Sequence, residues 1–547
     1  MTRLLLAGLL ALAAAALVAS GQASAATVTV CPNGCAFSQI APAVAAAKDG
    51  DTIAIAAGTY TGGFTVDVSV KLVGSGAGST VISGGGPVIT IGEAFAAGEP
   101  TVSISGVTIT GGVAHSSFAA AFVGDNVIAL GGGISVPPAA NFAPGATVTI
   151  ANSVITGNKV APTSAIDSGL PCPADITITC INGDLPFAQA AGGGINTFGP
   201  MTLTNTTISN NQAGGPVASD VGPGGIESIE GGLTLKGSTV TGNQAIASAP
   251  NGRFAETGGV DVGSGTAVVD GSLISGNSAS ISTAMPNDIP DGIAANAGGL
   301  HIRGDDSCAN PDSGCAVATI RNSTITGNSV SATNSLGDAV AFCGGTCDDG
   351  QLALADSTVT NNHVSATVPA ASTACACADS AGVGTGGIET IRNTHITGNT
   401  VTATAPSGTA SASSGGGSVG NGLSITISDS LISGNHITAT TTSGTATVMG
   451  AGFSNGAVLE VRGTTFSDNV GTASGPTGTA QGGGISNLLF PGAPPGQLTL
   501  RDSAIVDNTL SGDPGITIQG GGLFTTVPVT LKDSTISGNV PDQCVGC

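Results

Sequence analysis

The sequence predicts an all-β chain wound as a right-handed parallel β-helix, with a short helix covering its first coil. Three observations predict it. A six-residue phrase ending in Asn recurs along the chain, an alternating apolar strand precedes it, and a Gly-Gly-apolar triplet lies further upstream. The phrase reads Ser153-Val154-Ile155-Thr156-Gly157-Asn158, then Ser323-Thr324-Ile325-Thr326-Gly327-Asn328, and finally Ser534-Thr535-Ile536-Ser537-Gly538-Asn539. Further copies end at Asn211, Asn243, Asn277, Asn362, Asn399, Asn435, Asn469 and Asn508. Many copies are separated by a similar distance: 362 − 328 = 34, 435 − 399 = 36 and 469 − 435 = 34 residues.

Each unit should hold three short strands. Leu352-Ala353-Leu354 and Leu498-Thr499-Leu500 alternate with period two, so each presents one face inward. Gly193-Gly194-Ile195, Gly258-Gly259-Val260, Gly386-Gly387-Ile388 and Gly483-Gly484-Ile485 mark the triplet. Repeated units of this kind stack into a prism of parallel sheets without a free lateral edge. Ile or Val within each phrase fills the prism. The Gly-Asn corner needs tight or left-handed backbone, which those residues tolerate best. An Asn at the same corner of every coil can stack into an amide ladder. At about 4.8 Å per coil, roughly fourteen coils give a rod about 65 Å long. A leucine-rich repeat would want a helical segment and more Leu, and a propeller would want aromatic residues.

At the N-terminus, Arg3 precedes an apolar run from Leu4 to Val18, and Ala23-Ser24-Ala25 supplies small residues for cleavage. Residues 1–25 therefore read as a secretory signal peptide. The run is too short for a comfortable span, and no later stretch is apolar enough to cross a bilayer, so no transmembrane anchor is expected. Residues 26–48 read as an N-terminal cap. Phe37, Ile40, Val44 and Ala47 fall at helical spacing, and a helix there would block the open edge of the first coil. Residues 49–547 form the β-helix body. Asp49 and Asp51 read as turn residues.

Composition narrows the function. There are 12 basic and 34 acidic residues, a net charge of −22, no Trp and one Tyr, Tyr60. This balance argues against nucleic acid, which needs a basic footprint, and against a cleft that grips a polyanion through Arg and Lys. The 12 Cys fall in near neighbours: Cys31/Cys35, Cys172/Cys180, Cys308/Cys315, Cys343/Cys347, Cys375/Cys377 and Cys544/Cys547. In an exported chain these read as local disulfides, the last pinning the C-terminal tail. The Cys375-x-Cys377 ring is tight. The alternatives are pairing with Cys343 and Cys347, or a four-thiolate metal site.

The capping helix, then Gly50-Asp51-Thr52-Ile53, Gly58-Thr59-Tyr60 and Leu72-Val73-Gly74, followed by the tandem repeats, resemble the pectin-lyase-like superfamily of right-handed β-helix proteins, in particular its bacterial secreted and surface members. The resemblance covers nearly all of the mature chain. It implies the fold and leaves the activity open, because the superfamily holds lyases, hydrolases and members without known catalysis.

The residue after each triplet is expected to point outward, giving a polar column of Ser135, Asn196, Glu227, Asp261, His301, Glu389, Ser454 and Ser486. Glu227, Asp261 and His301 come from consecutive units, with Cβ atoms about 5 Å apart. Two carboxylates at that spacing can split their pKa values for acid/base chemistry on a glycan, or hold a cation. These three are the candidate catalytic residues. Arg303, Asp305, Asp306 and Glu389 are the candidate binding residues. Gly304-Asp305-Asp306 resembles the paired-Asp motif of polygalacturonases but lacks its companion motifs, and it also reads as a turn closed by Cys308/Cys315. Inserts from Ala161 to Ala191, Ala279 to Ala297, Ser331 to Asp349, Ser365 to Thr385 and Thr400 to Ser414 follow the Asn corners and are expected as loops along one edge. The reading that results is an exported, non-catalytic protein, structural, adhesive or ligand-binding, with an extracellular glycan or a surface protein as partner and no cofactor. The alternatives are a polysaccharide lyase or glycoside hydrolase, and a calcium-stabilised scaffold.

Overall fold

The computed structural model describes residues 25–116, 128–171, 184–248, 252–287, 293–304, 315–369, 373–419, 424–488 and 497–547. The expected signal peptide, apart from Ala25, lies outside these residues. The chain winds into five long sheets whose paired strands all run parallel, each strand bonded to its counterpart in the coils before and after, as in a right-handed β-helix. One coil illustrates the rest. Gln351–Ala355 lies in sheet 1, Thr358–Thr360 in sheet 2, His363–Thr367 in sheet 3, Cys375–Asp379 in sheet 4 and Val383–Thr385 in sheet 5. Ile388–Arg392 then returns to sheet 1.

The expected three strands per coil hold only at the two ends. Thr52–Ile55, Gly58–Thr61 and Phe64–Val66 make a three-sided coil, the next follows suit, and so does the last, Val529–Lys532, Thr535–Ser537 and Cys544–Val545. Between Val113 and Gln519 the inserts add two strands per coil, so what read as loops forms sheets 3 and 4, each 11-stranded. The physical reason lies in Thr400-Val401-Thr402-Ala403-Thr404 and Thr409-Ala410-Ser411-Ala412-Ser413. Both alternate, and Val401, Ala403, Ala410 and Ala412 are buried. Strand pairing satisfies their backbone, and small side chains let two sheets close on each other. The cross-section is therefore two-lobed. Sheets 1, 2 and 5 enclose Ile, Leu and Val. Sheets 3 and 4 enclose mainly Ala. The insert from Ala161 also carries an antiparallel hairpin, Ile166–Pro171 with Asp184–Phe187.

The Asn ladder forms at the waist between the lobes. Asn158 Nδ2 donates to Asn211 Oδ1, Asn211 to Asn243, and so on through Asn277, Asn328, Asn362, Asn399, Asn435, Asn469 and Asn508 to Asn539, at 2.8–3.0 Å. The backbone N–H of each Asn donates to the same Oδ1, and each Nδ2 also donates to a carbonyl of the coil behind, as Asn362 does to Ile325. Asn539 Nδ2 ends the ladder on Gln543 Oε1. The residue before each Asn is left-handed, as at Gly157 (φ 64°), Asn210 (φ 53°) and Asn361 (φ 55°). The Gly pairs return the chain past this ladder. A Cβ on Gly194 would lie 2.9 Å from Asn211 Nδ2, and on Gly259 2.3 Å from the Gly299 carbonyl oxygen. Gly at these positions is thus a condition of the narrow waist.

The N-terminal helix spans Ile40–Ala46 and buries Ile40, Ala43 and Val44 against the first coils. The cap also contributes strand Thr27–Val30, which pairs with Thr52–Ile55. Asp51 accepts from the backbone N–H of Ala26 and Lys48, and Asp49 from that of Ser69, so both act in turns. Disulfides join Cys31–Cys35, Cys343–Cys347, Cys375–Cys377 and Cys544–Cys547. The pairs at 343/347 and 375/377 are each local, so neither the crossed pairing nor a thiolate site occurs. Cys315 is disulfide-bonded, while Cys172, Cys180 and Cys308 lie outside the described residues. At the C-terminus Cys544–Val545 adds a last strand to sheet 5, beside Leu523–Phe524. Among the described residues no helix is long and apolar enough to cross a membrane.

Candidate functional site

The middle residues of the sheet 5 strands align along the axis in the order Ser135, Asn196, Glu227, Asp261, His301, Cys347, Gly384, Ser418, Ser454 and Ser486. Glu227, Asp261 and His301 do occupy successive rungs. Glu389 does not belong to this column. The strand in register after Cys347 is Val383–Thr385, so Gly386-Gly387-Ile388 lies one strand late, at the corner into sheet 1. Glu389 consequently points into the main core, between Leu352 and Ile425 in register. It is 2% exposed, with both carboxyl oxygens unpartnered. Asp305 and Asp306 lie outside the described residues.

The column differs from expectation in one further respect. It faces away from the main core, as alternation requires, yet it does not face solvent. Asp261 is 0%, Glu227 5% and His301 9% exposed. Sheet 4 turns over sheet 5 there, and the column lies in the seam between the lobes.

The seam holds an ion network. Asp261 takes both arms of Arg303, Nε to Oδ1 at 2.8 Å and a terminal nitrogen to Oδ2 at 2.7 Å. The same terminal nitrogen reaches Glu256 Oε2 at 2.5 Å and approaches Glu227 Oε1 at 4.0 Å. Asn196 Nδ2 donates to Glu227 Oε2 at 2.5 Å. His301 Nε2 donates to Asp349 Oδ2 at 3.3 Å, and its Nδ1 lies 3.6 Å from Asp261 Oδ2, an ion-pair distance too long for a hydrogen bond.

Charge states follow from this geometry. Burial pushes Glu227 up to about 8, against the pull of Arg303 and with the push of Asp261. Burial pushes Glu256 up to about 7, again against Arg303. Burial would also raise Asp261, but Arg303 and then His301 outweigh it and hold the carboxyl well below the usual range. Burial would lower His301. The Asp261 carboxylate and then Asp349 outweigh it, raising the imidazole to about 10. At neutral pH the seam thus contains a protonated Glu227, an ionised Asp261, an imidazolium and a guanidinium.

The column then shrinks to Cys347, Gly384 and Ser418, and a cleft of about 360 Å³ opens in the seam. Its walls include His301, Asp349, Phe342, Asp379, Ser380 and Asn296. Gly384 lets this wall close up: a Cβ there would lie 2.6 Å from Cys343 Sγ and 3.0 Å from Ser380 Cβ. The Cys343–Cys347 disulfide forms part of the wall. Among the described residues no group of three or more His, Cys, Asp or Glu is arranged to hold a metal ion.

The structure brings together Glu227, Asp261, His301 and Arg303, all singled out in the sequence, and sets beside them Glu256, Asp349, Asp379 and Phe342, which were not. These stand at the ends of the insert strands or in the turn after sheet 5, where no period marks them until the inserts are read as strands.

No family model matches the chain. No curated protein matches it. Solved structures that match include the tailspike gp61 of Pseudomonas phage phi297, 12% identical, covering 89% of this chain and 76% of the tailspike with a TM-score of 0.20. Another is the PL6 family alginate lyase AlyGC, 10% identical, covering 95% of this chain and 100% of the lyase with a TM-score of 0.16. At such scores neither bears on the site, whose placement rests on strand register.

Proposed function

We propose that this chain is an exported, non-catalytic β-helix protein of the pectin-lyase-like type, and that it binds a polyhydroxylated ligand, an extracellular glycan, in the seam cleft. One observation carries the reading: Asp261 and His301, two of the three candidate catalytic groups, are spent on ion-pair partners, beside a cleft that is open. Asp261 is fully buried and both its oxygens take the guanidinium. His301 is held between two carboxylates and keeps its proton at neutral pH. A general base must reach substrate and gain a proton there, and neither group is placed to do so. The cleft has the size of a small-ligand site, and its lining of hydroxyl, amide and carboxylate groups suits sugar hydroxyls. Phe342, 36% exposed on the rim, offers a surface for a sugar ring. The local disulfides fit an oxidising, extracytoplasmic setting.

Calorimetric titration with a panel of oligosaccharides tests this. Saturable binding is expected, lost when Ser418→Phe fills the cleft while the circular dichroism stays that of the parent. Binding that survives Ser418→Phe would overturn the location.

A second reading has one observation in its favour. Glu227 and Asp261 sit on adjacent rungs with oppositely shifted carboxyls, the pattern of an acid and a base in glycoside hydrolysis. Under it, Glu227→Gln abolishes release of reducing ends.

A further inference from the structure

This inference rests on the cleft being a ligand site and names what it takes. We propose that the cleft selects saccharides bearing a free ammonium group, such as de-N-acetylated hexosamines, seated against Asp349 and Asp379.

The Ser380 hydroxyl donates to Asp379 Oδ1 at 3.0 Å. Ser418 lies 2.5 Å from the Ser380 oxygen, and since the Ser380 hydrogen is committed, Ser418 is the donor of that pair. The Thr385 hydroxyl points to Asp348 Oδ2 at 3.5 Å. His301 Nε2 donates to Asp349. These donors along the wall are thereby directed at protein partners. Acceptors remain. Asp349 is half-exposed, with His301 as its recorded partner among the described residues. Asn296 Oδ1 is buried without a hydrogen-bond partner among the described residues. The group that completes this wall is a donor.

Charge selects among donors. Among the described residues no Lys or Arg lines the cleft. The chain as a whole carries −22. An ammonium brings three donors and the opposite charge to one point. A neutral sugar brings donors without charge, and an acidic sugar meets repulsion.

Calorimetry with β-linked glucosamine oligomers, their N-acetylated counterparts and uronate oligomers, at one pH and salt, decides it. The expected result is binding of the glucosamine series at least tenfold tighter than the N-acetylated series, with no detectable uronate binding. Asp349→Asn should erase that preference, bringing the glucosamine series down to the affinity of the N-acetylated series. Asp349 also holds the His301 imidazolium, so this variant should melt lower than its parent at pH 7 while its circular dichroism stays the same. Asp379→Asn is the second variant, read the same way. Equal affinity for the free and acetylated series, lost together in Ser418→Phe, would overturn the ammonium preference and keep the binding cleft. Absence of binding to all three series would overturn both.

Discussion

Asp261 shows at the scale of one residue what holds the seam. Its carboxylate is wholly buried, and a bidentate guanidinium is the condition for its charge. Arg303→Met should therefore destabilise by about 3 kcal/mol, the lower end for breaking a buried pair, because the guanidinium is itself 38% exposed. Chemical denaturation would measure it. The same residues set a pH dependence. The folded values of Glu227, about 8, and His301, about 10, both lie above their ordinary 4.5 and 6.5. The native state then holds protons that the unfolded state has released. The stability that His301 adds is complete below pH 6.5 and lost as the pH rises through 10. Glu227 erodes stability from pH 4.5 up to about 8, because the unfolded carboxyl ionises there while the folded one keeps its proton. The melting temperature should fall steadily from pH 6 to pH 9, and Glu227→Gln should flatten the lower part of that fall. A melting temperature that rises over this range would contradict these charge states.

At the scale of elements, the Asn ladder makes the sharpest demand. Asn362→Ala removes the acceptor of the Asn328 backbone N–H and side-chain amide, and takes away the side-chain donor to Asn399 Oδ1 and to the Ile325 carbonyl. The Asn362 backbone N–H still donates to Asn399 Oδ1. A loss of about 2–4 kcal/mol is expected from the buried groups left unpaired. Asn362→Asp should cost more, because it sets a carboxylate against two acceptors. The ladder and its left-handed corners were legible in the sequence, since Gly-Asn at a fixed period has few other physical uses. The second lobe was equally written there, in runs such as Thr400-Val401-Thr402-Ala403-Thr404. It was obscured because Ala and Thr give alternation little contrast in hydrophobicity. Glu389 was misplaced for a related reason. Gly386-Gly387-Ile388 imitates the triplet, while the true return, Gly382-Val383, has lost its first Gly to Ala381. Which residues face the column from across the seam was not legible, because that depends on how sheet 4 turns over sheet 5. The insert strands themselves can be checked by amide exchange. His363–Thr367 and Cys375–Asp379 should be protected much as Thr358–Thr360 is, and exchange at loop rates would contradict the two-lobed coil.

For the whole molecule, the account separates scaffold from site. The repeat builds a rod with two cores, the ion network bolts the lobes together over one stretch, and the cleft opens where the column turns small. Its central claim is that this site binds and does not turn over. The direct measurement follows a panel of neutral, amino and acidic polysaccharides over hours with the intact protein, recording new reducing ends and unsaturated products alongside binding. The account expects binding without product. Product formed by the parent and abolished by Glu227→Gln or Asp261→Asn would contradict it.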